Sequence, residues 1–361
     1  MTNHFLYQRR QFLLLLGGAA VAGPFGAQAE APKMPVVGFL NPASAKGLAP
    51  HLAAFKLGLK DAGYVERRNV LVEYRWADGQ YDRLPQLAAD LVSRGVAVIA
   101  ATGGSFSVRA AKEAATQSPV PIPILFVSGL DPVKEHVNSL ERPETKVTGV
   151  AVQTTAQVLL WKRVELLRKL VPGATTIALL TNKNNTEKIT TSSNGALNAA
   201  EAAAQEVQFA VTGTKATGPG AAIAECASFC PKSARTDSEL ADVFDSLSKR
   251  GNSALVVGAD PFFTDRRAQI VALARQTRVP AIYPWREYVD AGGLISYGSS
   301  LASAYRQVGR YVGKILRGAN AEELPVAQEG VFELAINLRT ARALNLMVPQ
   351  PLLASADSVI K

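Results

Sequence analysis

At 361 residues, 48% of them apolar, the chain is long enough to bury two cores of ordinary domain size. Its formal net charge of +9, from 39 basic and 30 acidic residues, is dispersed. No run of five or six like charges forms an arm for nucleic acid. Three histidines and two cysteines are too few for a zinc site of the usual spacing, so no metal and no cofactor are expected.

The first element is a leader. Arg9 and Arg10 precede an apolar run from Phe12 to Ala22, and Ala27-Gln28-Ala29 offers the small residues of a signal-peptidase site, so residues 1–29 are expected to be a signal peptide. Arg9-Arg10-Gln11-Phe12-Leu13 resembles the core of a twin-arginine signal, while Gln8 and Leu14 depart from it; Sec and twin-arginine export both remain open. Cleavage would remove two positive charges and leave a net of +7. No later stretch reaches the roughly 20 apolar residues of a membrane span, and no cysteine follows the leader to carry a lipid. A soluble periplasmic protein is expected.

From residue 34 short β-type runs alternate with helical patterns, the signature of βαβ units and parallel sheets. Val36 to Leu40 is a continuous apolar strand, and Leu48 to Ala62 a helix whose Leu52, Phe55, Leu59 and Ala62 recur at three and four residues before Gly63. Strand Val70 to Trp76, helix Leu84 to Ser93, strand Val96 to Ala100 and helix Val108 to Thr116 follow, then extended segments at Ile122 to Val127 and Val147 to Val152. The series restarts near residue 150. It runs through helix Val158 to Leu170, strand Thr176 to Leu180, helix Gly195 to Glu206 and strand Val207 to Thr212. After an irregular stretch, 214–235, come helix Ser238 to Lys249, strand Ala254 to Gly258, helix Arg266 to Gln276 and strand Ala281 to Tyr283. The fold class is therefore α/β, with two Rossmann-like, doubly wound lobes and a ligand cleft at the carboxyl ends of their strands. Within 214–235, Cys226 and Cys230 are separated by three residues, not the two of a thioredoxin-like motif. An oxidising compartment permits a disulfide between them, although so tight a loop is geometrically demanding.

The candidate site residues stand at strand ends. Thr102-Gly103-Gly104-Ser105 precedes a helix, where glycines admit a ligand to the backbone, Ser105 can cap, and first-turn N–H groups favour an anion. Ser128 and Asp131 close the fourth strand, and Asp131-Pro132 is echoed by Asp260-Pro261 in the second series. Each aspartate can cap its helix or pair with a ligand ammonium. Asn41 and Ser44 after the first strand, Asn182 after Leu180, and the aromatics Phe262 or Phe263, Tyr283, Trp285 and Tyr297 complete the set. No Walker loop and no G-x-S-x-G elbow is present, and scarce histidine removes the usual base for a serine or cysteine nucleophile, so catalysis is not expected.

Several stretches together resemble the substrate-binding proteins of ABC transporters related to tryptophan-binding proteins. They are Val37 to Asn41, Phe55 to Tyr64, Tyr74 to Pro85, Ala101 to Gly104, Asp131-Pro132-Val133, Val256 to Pro261 and Gly292 to Gly298. The resemblance implies the type I periplasmic binding fold, two lobes joined by three crossing segments with a hinge, a small-molecule solute, docking on an ABC permease, and a monomer. It places residues 34–150 plus 284–324 in an N-terminal lobe and 151–283 plus 325–361 in a C-terminal lobe. Arg67, Leu130 and Glu144-Thr145-Lys146 stand where the family has glycines, and Leu130 beside Asp131 bears on the pocket. The expected function is a periplasmic receptor of an ABC importer that binds an amino-acid-like or organic-acid solute between its lobes. The alternatives are an exported α/β enzyme and a ligand-sensing domain for a membrane receptor.

Overall fold

The computed structural model describes residues 34–129, 132–143, 145–152, 156–182 and 229–361. The leader, Leu130, Asp131, Glu144, the expected helix 195–206 and strand 207–212, and Cys226 lie outside these residues, as does the side chain of Cys230. Pro35–Lys361 holds together as one unit.

Two sheets organise it. The first contains β1 (Val36–Asn41), β2 (Leu71–Trp76), β3 (Val98–Ala101), β4 (Ile124–Ser128), β5 (Val147–Ala151) and β11 (Ala327–Gln328), ordered β11-β5-β4-β3-β1-β2. All of its pairs are parallel. Period-two alternation sends Phe39 into one core, with Phe55 and Tyr305, and Leu40 into another, with Leu91 and Phe126. Both faces are thus apolar, as a covered parallel sheet requires.

The second sheet contains β6 (Thr176–Thr181), β7 (Phe229–Ser233), β8 (Ser253–Val257), β9 (Ala281–Tyr283), β10 (Ile295–Ser299), β12 (Phe332–Asn337) and β13 (Ser358–Ile360). Its order is β13-β12-β10-β9-β8-β6-β7, parallel except for β10 against β12. β7 corrects the reading of 214–235 as wholly irregular, because Phe229–Ser233 pairs in register with β6. Pro231 disguised it in the sequence. A proline is tolerated there because β7 is an edge strand and need donate on one side only.

Helices of the first sheet are α1 (Ala49–Asp61), α2 (Leu84–Ser93), α3 (Ser105–Ala115) and the short α4 (Pro132–Glu135). Those of the second are α5 (Ala156–Leu170), α6 (Asp237–Arg250), α7 (Pro261–Asp265), α8 (Arg267–Gln276) and α9 (Arg286–Asp290), followed later by α11 (Leu338–Ala343) and α12 (Gln350–Ala354). Between them α10 (Leu301–Leu316) returns to pack on α1. Glycines set that approach: a Cβ on Gly58 would fall 1.9 Å from the Arg306 carbonyl oxygen, and one on Gly309 2.2 Å from that of Phe55.

The chain therefore crosses between sheets three times, after β5, after β10 and after β11. Sheet pairing moves the expected boundary, since residues 295–299 stand in the second sheet and 327–328 in the first. The three crossings are clipped together. The Ser299 hydroxyl donates to the carbonyls of Val152 and Glu329, and the Glu329 N–H donates to Ala151 at 2.8 Å. Arg67 occupies the left-handed region at φ 63°, a conformation that strains an L residue. Among the described residues no helix is long and apolar enough to cross a membrane.

Candidate functional site

Each sheet has a topological switch point, where successive crossovers leave in opposite directions and open a crevice at the carboxyl ends of the strands. In the first sheet it lies between β1 and β3, and in the second between β6 and β8. The two crevices are closed by the same device. Asn41 Nδ2 donates to Thr102 Oγ1 at 2.8 Å and to the Tyr305 hydroxyl at 3.1 Å, while its Oδ1 accepts from Ala43 N–H at 2.8 Å. In the second lobe Asn182 Nδ2 donates to Asp260 Oδ1 at 2.9 Å. An asparagine at a strand end thus fixes the loop of the neighbouring strand in both lobes.

Between these ends lies a cavity of about 290 Å³. The first lobe contributes Asn41, Tyr81, Gly103, Gly104, Ser105, Phe106 and Ser128, and the second Leu160, Arg163, Gly258, Asp260, Thr264 and Trp285. Gly103 and Gly104 both have left-handed φ, 84° and 101°. At Gly103 a Cβ would also meet the Pro42 ring at 2.6 Å, so a side chain is excluded twice. Gly104 is the N-cap of α3 and brings no side-chain cap. That corrects the expectation that Ser105 caps: Ser105 is the first helical residue, and its Oγ lies 3.2 Å from His136 Nε2. Burial, then the charge of Lys112, pushes the His136 imidazole down to about 4, against a bond with the Glu135 backbone. His136 is therefore neutral at pH 7.

Asp260 caps α7 by accepting from Phe262 N–H at 2.8 Å, and the same Oδ1 accepts from the Tyr81 hydroxyl of the first lobe at 2.9 Å. Burial, with the Asp260 charge second, drives the Tyr81 hydroxyl well above the usual tyrosine range, so Tyr81 is a donor at every physiological pH. Other bonds join the lobes around the cavity. The Ser44 hydroxyl donates to Asp265, Arg267 Nη1 donates to the Gly47 carbonyl at 2.7 Å, and His51 Nε2 lies 2.9 Å from Glu287.

Arg163 is 3% exposed. Its Nε donates to the Tyr297 carbonyl at 2.8 Å, but Nη2 has no partner among the described residues. Burial lowers its pKa to about 10, opposed by Tyr297, so it stays a cation. Trp285 Nε1 is likewise buried and without a partner. Among the described residues no cluster of three or more histidine, cysteine, aspartate or glutamate side chains forms.

Comparison with known proteins matches this architecture. The family model described as ABC transporter substrate binding protein covers residues 37–224 and 226–360. The chain belongs to that family.

Solved structures similar to this substrate-binding protein include a conserved domain protein from Vibrio cholerae, with TM-score 0.72 and 22% identity, covering 91% of this chain and 100% of that one. A Streptococcus pneumoniae ABC domain in complex with L-Trp has TM-score 0.71 and 20% identity, covering 90% and 99%. A protein from Clostridioides difficile named tyrosine-binding protein is 22% identical over 293 residues, 81% of this chain and 75% of that relative. The structural matches establish the two-lobed α/β fold.

Of the residues expected at the site, Asn41, Gly103, Gly104, Ser105, Ser128, Asp260 and Trp285 line the cavity. Thr102 and Asn182 stand one layer behind, bonded to Asn41 and Asp260. Ser44 lies in the seam between lobes. Three aromatics are placed elsewhere. Phe262 is buried under the guanidinium of Arg266, 4.0 Å from its ring centre, with Phe263 against its edge. Tyr283 stacks on Tyr288 in the core, and Tyr297 stacks on Phe332 while its carbonyl holds Arg163. Asp131 lies outside the described residues. The sequence reading missed Tyr81, Phe106, Leu160, Arg163 and Thr264. For Arg163 a signal existed: Leu160, Arg163, Leu167 and Leu170 follow a helical three-and-four spacing, so a cation occupies the apolar stripe of α5.

Proposed function

We propose that this substrate-binding protein is the solute receptor of an ABC importer, working in the periplasm, and that it captures an amino-acid-like or organic-acid solute between its lobes. The carrying observation is the cavity that both switch points wall together. Its volume is near the lower end of small-molecule sites, roughly 300 Å³ upward, and suits a compound of amino-acid size. Apolar walls from Phe106, Leu160 and Trp285 favour a solute with an aliphatic or aromatic body. The names of the tyrosine-binding relative and of the L-Trp complex point to the same solute class. Asn41, Gly103, Gly104, Ser105, Ser128 and Asp260 form the polar part of the wall, and Asp131 is placed with them from the sequence. Export rests on the Arg9 to Ala29 pattern. Delivery to a membrane permease by a monomer completes the reading.

One observation favours an exported enzyme, the Ser105–His136 pair. The depressed imidazole pKa speaks against it, because a general base works best with a pKa near the ambient pH. Protein unfolded and refolded to remove captured solute, then screened by thermal shift against amino acids and organic acids, tests the receptor reading. A stabilising compound recovered chemically unchanged supports it. Turnover of the compound, or a panel without any stabilising member, refutes it.

A further inference from the structure

Among the described residues that line the cavity, two buried side-chain polar atoms have no hydrogen-bond partner. The two are Arg163 Nη2 and Trp285 Nε1, both buried, both on residues that line the cavity, and both donors. A Cβ on Gly298 would lie 3.2 Å from Nη2 and 2.0 Å from the carbonyl of Pro284, the residue before Trp285, so the guanidinium and the backbone leading into Trp285 approach the same point of β10. The missing side chain at Gly298 thus leaves room for the guanidinium. No carboxylate of the described residues pairs with Arg163, whereas His51, buried in the seam, faces Glu287 at 2.9 Å. A buried guanidinium with an unpartnered Nη2 is an unfavourable arrangement in an isolated protein. It is favourable when an anion completes it, because charge-assisted bonds from arginine to a carboxylate are short, directional and strong in a water-poor site.

We infer that Arg163, which shares the cavity wall with Trp285, is the anion-binding subsite of the second lobe, so that the solute carries a carboxylate directed at α5. This rests on the receptor reading and sharpens it to carboxylates with an apolar body. Neutral sugars and amines are excluded as primary solutes. The subsite also couples capture to closure, since a carboxylate held by Arg163 with its apolar body against Phe106 and Tyr81 touches both lobes at once.

The test uses the full-length protein, refolded to strip solute, as wild type, Arg163→Met and Arg163→Lys. Each is titrated calorimetrically with L-tyrosine, L-tryptophan and 3-phenylpropanoate and with the amide of each, and each is melted without additions. Small molecules released from natively purified wild type are identified by mass spectrometry. The expected result is that an acid binds wild type and its amide binds at least about tenfold more weakly. Arg163→Met should weaken the acid by roughly thirtyfold or more, with Arg163→Lys between, while its melting temperature without solute equals or exceeds that of wild type. An amide bound as tightly as its acid, a released solute without an acidic group, or undiminished acid binding by Arg163→Met overturns the subsite and leaves solute capture standing. Lower melting with unchanged affinity marks Arg163 as structural and overturns it equally. Absence of any binding to wild type together with absence of any released solute overturns the receptor reading itself.

Discussion

Tyr81→Phe isolates one bond between the lobes. The phenol oxygen donates to Asp260 Oδ1 at 2.9 Å, and phenylalanine keeps the ring, 5.5 Å from that of Phe106, while deleting the donor. Asp260 is not left stranded, since Oδ1 still accepts from Asn182 and from Phe262 N–H. The loss is therefore that of one hydrogen bond to a charged group, about 1.5–3 kcal/mol, without the larger cost of an unpaired buried carboxylate. Because the bond joins the two walls of the cavity, it contributes to the closed arrangement and not to the folding of either sheet. Solute affinity should fall about 10- to 150-fold, while the urea midpoint without solute changes little. Calorimetric titration of the best-binding compound of the panel, beside urea unfolding of the same samples, measures both. Affinity equal to wild type would refute the assignment of Tyr81–Asp260 as a closure contact. A large loss of stability without solute would place the bond in the folding core instead.

His136 makes the protein acid-sensitive in a definite window. The folded imidazole has its pKa lowered to about 4 from an unfolded value near 6.5, so its stabilisation is complete above about pH 6.5 and is lost as pH falls toward 4, where the unfolded chain takes up a proton that the folded one refuses. The span corresponds to at most about 3 kcal/mol, and His136→Gln should flatten it; an unchanged slope of urea midpoints between pH 7 and 4.5 would contradict this. Gly58→Ala should force α1 and α10 apart, since its Cβ falls 1.9 Å from the Arg306 carbonyl oxygen. A cost of about 1–3 kcal/mol is expected, read as a lower denaturant midpoint, and a neutral effect would show that the helices are not in close contact.

The strands β1 to β6, β8 and β9 were legible because a buried parallel strand is a short apolar run and the helices between carry a three-and-four spacing, whereas β7 and the strands after β9 were not among the expected elements. The strand-end residues Asn41 and Asn182 were legible for the same reason, since an alternating βα pattern fixes where each strand stops. What failed was depth. Thr102 stands behind Asn41, bonded to it and not in the cavity wall, and Tyr283, on a three-residue strand, turns into the core against Tyr288. Sequence position near the cleft does not say which side of a strand a ring occupies. Arg163 and Tyr81 were hidden for another reason. Tyr81 bonds Asp260 of the other lobe and Arg163 lines the cavity between the lobes, placements that no local period encodes, although a lone arginine in the apolar stripe of α5 was visible. The boundary at 284–324 slipped because β10 and α10, adjacent in the chain, belong to different sheets.

The account stands most directly on a crystal structure of the protein purified under native conditions with its captured solute. It predicts a single small acid enclosed between the switch points, in contact with Ser105 of the first lobe and Arg163 of the second. A solute held on one lobe alone, or outside the cavity that Asn41 and Asp260 flank, would contradict it.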